Sequence, residues 1–269
     1  EKNQVLQNKE ESLLLFQIIS KIADNHHRTP IFWEKIDTLF HYMFQNVTEI
    51  TDFEVYQIYE RNKRILYLLF QKCFIKPDES IMSKLKNMRD NDNNKYVYYL
   101  YPVLKDFLDQ ETCDEIERII IDEFKEEIGT FSQKCEIGEN DSYICQLIRQ
   151  DSVEEFVSYV NRRNYRLLSY VPQSMFETNS FLIGKRPTLI EYATFFGSIQ
   201  IFQYLRYNQV SLSESLWLYE VHSDNPELFH ILEESEISKK YEDCFNESIK
   251  CHHSNISNYI RDNFLNQTK

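Results

Sequence analysis

Apolar residues recur along this chain at three- and four-residue intervals, the spacing of one face of an α-helix. Phe32, Trp33, Ile36, Leu39, Phe40 and Met43 form such a stripe, and residues 12–22 carry a broader one. Turn formers at 25–30 break the pattern between them. The same periodicity predicts helices over 52–60, 62–74, 78–88, 95–108 and 112–128; the last has Ile116, Ile119, Ile120, Phe124 and Ile128 on one side and acidic residues on the other. Residues 89–94 read as the most polar loop of the first half. Residues 129–140 read as the boundary between an N-terminal helical domain, 1–140, and a second domain, 141–269.

Beyond that boundary the helix pattern repeats together with its capping chemistry. Thr188 and Glu191 suit a capping box, in which the hydroxyl accepts from a helix-start amide and the carboxylate from the cap residue's own amide. Ser215 stands 27 residues later and Asp243 a further 28, and both are good N-caps, so each of the three is expected to open a first helix. The turn into each second helix also recurs. Gly197 suits a left-handed helix end with Ser198 capping the next helix; Asp224-Asn225-Pro226-Glu227 supplies a cap, a first-turn proline and an acid; His252-His253 holds the place in the third copy. Core positions keep step: Ile190, Trp217 and Phe245 in the first helices, then Ile201, Leu228 and Ile256, and Leu205, Leu232 and Ile260 in the second.

An earlier unit opens at Ser142, with Ser152 and Glu155 as another expected capping box. It begins 46 residues before Thr188, so an insertion of about 18 residues falls within 162–185. That insertion, with Tyr165, Leu167, Leu168, Tyr170, Met175, Phe176, Phe181, Leu182 and Ile183, is too apolar for a free linker. The units expected are 141–161, 187–210, 214–237 and 242–263.

The run Thr188–Ala193 followed by Gly197–Leu205 has the layout of an ankyrin repeat. With residues 137–145, 176–179, 187–193, 215–219, 249–253 and 22–28, the chain resembles the divergent ankyrin-repeat proteins abundant in protists, whose shared module is an ankyrin-associated domain of unknown function. The resemblance implies an all-α fold, a helical solenoid of stacked helix-turn-helix units whose C-terminal half is ankyrin-like with short repeats. It implies binding of another protein and carries no catalytic residues. Residues 62–69 resemble the second helix of such a unit, with Ile65 and Leu66 placed like Ile201 and Phe202.

Composition narrows the partner. A formal charge of −13, spread over both halves, repels phosphate backbones and anionic lipids, so neither nucleic acid nor a membrane surface is expected. Arg162, Arg163, Arg166, Lys185 and Arg186 are the one candidate basic patch, read here as a solvated rim. Only four glycines disfavour folds whose chemistry needs a glycine-rich loop. Six scattered cysteines without a CxxC, no long apolar run and no signal-like start lead to an expected cytoplasmic protein with reduced thiols.

Enzymatic chemistry has one candidate, a metal-dependent site from Cys244, Cys251, His252 and His253, with His222 or His230 as further ligands. Seven residues along one predicted helix separate Cys244 from Cys251 by roughly 10 Å, too far to share an ion. His252 and His253 read as a surface turn. HExxH, GxSxG, a P-loop and a dinucleotide fingerprint are missing. The expectation is therefore a non-catalytic interaction module or adaptor without catalytic residues, cofactor or metal, the alternatives being the cryptic metal enzyme and a capping or dimerisation module. Its protein-binding face is placed on Met175, Phe176 and Phe181 of the insertion and Tyr192, Phe195, Tyr219 and His222 of the first helices. Packing between neighbouring units competes as the role of Tyr192 and Tyr219, and anchoring of the insertion as that of Phe176.

Overall fold

The computed structural model describes residues 8–25, 30–47, 49–90, 95–223, 225–235 and 237–265. The turn predicted at 26–29, with His26 and His27, the loop at 91–94 and Asp224 lie outside the described residues. Among the described residues the protein is helical, apart from one isolated antiparallel bridge between Tyr170 and Thr188. Two compact units divide the chain: one is formed mainly by the residues up to Glu139 with Met175–Asn179, the other mainly by Asn140–Ser174 and Ser180 onward.

The first unit comprises α1 (Lys9–Asn25), α2 (Pro30–Asn46), α3 (Asp52–Tyr59), α4 (Lys63–Gln71), α5 (Glu79–Asp90), α6 (Lys95–Leu104), a 3-10 turn (Lys105–Phe107), α7 (Gln110–Asp122) and α8 (Ile128–Ile137). Its centre is α4, in which every residue from Arg64 to Phe70 is buried against neighbours that include α6 and α8. Asn62 opens that helix by accepting from the Ile65 amide at 3.0 Å while its own amide donates to Asp24 at 2.7 Å. Pro102 lies inside α6, two residues before its end; lacking an N–H, it releases the carbonyl one turn back.

Two sequence expectations change here. The helix predicted over 112–128 stops at Asp122, and the stretch read as a boundary, 129–140, holds the helix α8 up to Ile137, the units dividing beyond its end, after Glu139. The reason is packing. Phe131 and Cys135, four residues apart, are both fully buried, and Gly129 sits in the open first turn, where glycine does not break a helix held by its neighbours. Phe176 packs edge-on against Phe131 at 5.2 Å, and Thr178 donates to the Gly138 carbonyl at 2.7 Å, so residues 175–179 close the core of this unit.

The second unit comprises α9 (Tyr143–Arg149), α10 (Val153–Arg163), α11 (Ser180–Lys185), α12 (Leu189–Phe195), α13 (Ile199–Tyr207), α14 (Leu216–Ser223), α15 (Pro226–Glu233), α16 (Tyr241–Lys250) and α17 (Ser254–Ile260), with a π turn at Arg261–Leu265. Helices pair as α9 with α10, α12 with α13, α14 with α15 and α16 with α17. The leading helices pack on one another in the order α9, α12, α14, α16.

Among the described residues, three intra-pair turns are the same object. Asp151, Gly197 and His252 have φ of 49°, 69° and 60°. Each donates to the carbonyl three residues back, at 2.9, 3.1 and 3.1 Å, and each following residue donates to the carbonyl five before it, at 3.0, 2.9 and 2.9 Å. This double bond to the last turn, with a left-handed residue between, is the Schellman ending. Asn164 and Gln209 repeat it at the ends of α10 and α13, and Cys73 repeats it after α4.

The Thr188–Glu191 capping box forms, and Asn225 caps α15 with Pro226 in its first turn. Other expected caps do not. Ser152 makes no side-chain cap bond, and Ser198 gives its hydroxyl to the Ile148 carbonyl at 2.5 Å instead. Ser215 immediately precedes α14 but donates to the Glu191 carboxylate at 2.5 Å. Asp243 does not open α16, which begins two residues earlier at Tyr241; it is an acid in the first turn, where it still meets the positive helix end.

Candidate functional site

The residues assigned in sequence to a protein-binding face lie mostly in the cores. Phe176, Tyr192, Phe195, Tyr219 and His222 are each at least 97% buried, while Met175 and Phe181 are half-buried. Met175 and Phe176 belong to the first unit and the other five to the second. A face open to a partner therefore cannot be built from these side chains. The physical reason is that α12 is covered on several sides at once: it packs on α9, α13 and α14, so Tyr192 and Phe195, which fall off the obvious apolar stripe, are buried as well. Arg149 donates to the Tyr192 hydroxyl and to the Asn140 carbonyl, both at 2.8 Å, which satisfies the phenol inside the unit.

Exposed apolar residues of the second unit lie elsewhere. In the insertion, Leu168, Tyr170 and Ile183 are 60%, 64% and 53% exposed. The backbone around Leu168 and Tyr170 is held. Val171 donates to the Pro187 carbonyl at 2.8 Å and Leu189 to the Ser169 carbonyl at 3.1 Å, tying residues 169–171 to the entry of α12. A recess of about 310 Å³, lined by residues that include Phe229, His230, Ile256 and Tyr259, opens on the α15–α17 side.

Chemistry-bearing side chains converge where α14 packs on α16. His222, in the last turn of α14, approaches Glu247 of α16, with Nε2 3.1 Å from Oε1. Cys251, which ends α16, puts its sulfur 3.4 Å from Nδ1 and 3.7 Å from Nε2 of the same ring. Phe181 and Phe195 cover the imidazole, with ring centroids 4.1 and 5.0 Å away. The hydrogen bond from His222, followed by that from Lys250, holds the Glu247 carboxyl down at about 2, against the opposing effect of burial. Burial pushes the Cys251 thiol up to about 12. A thiol in that state, at the negative end of a helix and without solvent access, is a poor nucleophile.

Of the metal ligands considered in sequence, the structure brings His222 and Cys251 together and leaves the others apart. Cys244 is buried on the same helix seven residues before Cys251. His230 is exposed and pairs with Glu233 at 3.0 Å. The two histidines expected in a surface turn differ: His252 is exposed at the left-handed position, but His253 is buried with Nδ1 2.7 Å from the Val221 carbonyl. Glu247 is the member that sequence reasoning missed. Its signal was the four-residue spacing to Cys251, which places both on one helix face. No family model, no curated protein and no solved structure matches this chain.

Proposed function

We propose that the second unit is a non-catalytic protein-recognition module of ankyrin type, a short helical solenoid serving as an adaptor in the cytoplasm. The observation that carries this reading is the Schellman turn repeated at Asp151, Gly197 and His252, with the leading helices packed in sequence. A repeat of one helix pair builds a surface by addition and needs no catalytic centre. The absence of any disulfide among the six cysteines, four of them buried, supports a reducing compartment. The recognition edge is assigned to the insertion, where Leu168, Tyr170 and Ile183 present apolar surface, the first two on backbone tied to the entry of α12 and the third on α11.

The test is retention of a protein partner from the source lysate by the full chain, compared with a Leu168→Ser, Tyr170→Ala, Ile183→Ser variant. The reading expects a saturable partner held by the wild type and lost by the variant, with both melting at the same temperature. Equal retention by the two proteins, or none by the wild type, overturns it.

A further inference from the structure

We propose that His222, Glu247 and Cys251 form a zinc site in the second unit. A zinc ion takes sulfur at about 2.3 Å and nitrogen or oxygen at about 2.0–2.2 Å, so ligand atoms around one tetrahedral ion stand roughly 3.3–3.6 Å apart. The observed separations are 3.1 Å for Nε2 to Oε1 and 3.7 Å for Nε2 to Sγ, and all the donor atoms lie within 4.8 Å of one another. The sulfur also stands 3.4 Å from Nδ1, so an ion at Nε2 requires the Cys251 and His222 side chains to turn towards each other.

Charge favours the same assignment. An ion of +2 with one thiolate, one carboxylate and a neutral imidazole makes a site of zero net charge, the condition under which a buried ionic group is tolerated. Binding replaces the thiol proton, which leaves to solvent as the sulfur pair is donated to zinc, and the Nε2 proton that His222 gives to Glu247 moves to Nδ1, so the imidazole stays neutral and apparent affinity rises with pH. Lys250, 2.9 Å from Oε2, holds the carboxylate from outside and leaves Oε1 towards His222. Phe181 and Phe195 fix the ring plane. The donor set of one sulfur, one nitrogen and one oxygen suits zinc better than calcium or magnesium, which prefer oxygen alone.

The site joins α14 to the end of α16, two successive leading helices, so the ion would clasp neighbouring helix pairs. This does not rest on the recognition reading, because none of the three ligands belongs to the insertion, whose Phe181 only covers the imidazole.

The experiment titrates the full chain, after exhaustive chelation, with zinc and with cobalt(II). The proposal expects about one ion per chain, a near-ultraviolet sulfur-to-cobalt charge-transfer band, and a melting temperature raised by zinc. Cys251→Ser and His222→Gln should lose the ion, Glu247→Gln should weaken it at least tenfold, and His252→Gln should leave it unchanged. Should the buried variants fail to fold, the wild-type cobalt spectrum decides alone, since the charge-transfer band requires a thiolate ligand. Failure of the wild type to bind one ion, a cobalt spectrum without sulfur, or loss of the ion in His252→Gln overturns the assignment.

Discussion

The carboxylate of Asp151 closes the start of a helix that begins 48 residues further on: its Oδ1 accepts from the Ile201 amide at 3.0 Å and its Oδ2 from the Gln200 amide at 3.0 Å. Asp151 occupies the left-handed position between α9 and α10, so a residue ending one helix also caps α13 of the next pair. Ser198, the local N-cap, is thereby released to bond the Ile148 carbonyl. The two bonds together couple neighbouring helix pairs through backbone groups that would otherwise lack partners.

Asp151→Ala is expected to lower stability by about 1–2 kcal/mol, combining a lost charged cap with alanine's reluctance to adopt positive φ. Asp151→Asn keeps an acceptor and tolerates that conformation, so it should lose less than half as much. Urea unfolding of the two variants checks the ranking, and equal losses would remove the capping role.

Gly138 and Gly197 both have positive φ, at 71° and 69°, but their surroundings differ. A Cβ on Gly138 would meet Arg64 Cδ at 2.6 Å, whereas one on Gly197 would meet nothing closer than Asn225 Nδ2 at 3.5 Å. Gly197→Ala should therefore cost the conformational strain alone, about 1–2 kcal/mol. Gly138→Ala must also displace the buried Arg64 side chain and should cost distinctly more. Thermal melting of the pair tests the order.

Glu54 closes a capping box with Thr51 and pairs with Lys9 at 2.8 Å. The Lys9 bond, then the Thr51 backbone amide, lower its carboxyl to about 2. The folded value lies below the unfolded one, so the contribution is complete above the ordinary glutamate range and is lost as pH falls from there towards 2. Glu54→Gln should thus be less stable than wild type at neutral pH, with the gap closing through that acid window. Denaturant melts at several pH values measure it; a gap independent of pH would refute it.

Cys73 is exposed, whereas Cys135, Cys145, Cys244 and Cys251 are buried. Burial also pushes the Cys244 and Cys251 thiols up to about 12. A neutral-pH thiol reagent should modify Cys73 promptly and these four only after unfolding. Mass mapping of the native adduct identifies the site, and early modification of Cys251 would contradict its burial.

Phe195→Ala should act as a core deletion, costing about 3–5 kcal/mol, because the ring is buried and stacks near His222 and Phe181. Calorimetry distinguishes this from a surface contact, whose loss would leave the melting temperature within a degree or two.

Helices, and many of their ends, were legible in the sequence because local chemistry makes them. The apolar spacing of 30–46, the Thr188–Glu191 box, the left-handed glycine at 197 and the Asn225-Pro226 start all act within one turn of chain, so residue identity suffices. Tertiary structure decided which serines cap, because Ser198 and Ser215 choose partners from other helices, Ile148 and Glu191, over their own amides. It decided that the stretch before the unit boundary is the helix α8, since burial of Phe131 and Cys135 outweighs the weak helix preference of Gly129. It also decided which aromatics are surface. A helix covered from one side buries one stripe, but α12 is covered from several, and that number of neighbours is a property of the packed unit, invisible in the helix itself. The meeting of His222 with Glu247 and Cys251, 25 and 29 residues later, follows the same logic: it depends on the rotation at which α14 lies on α16, which no local signal encodes.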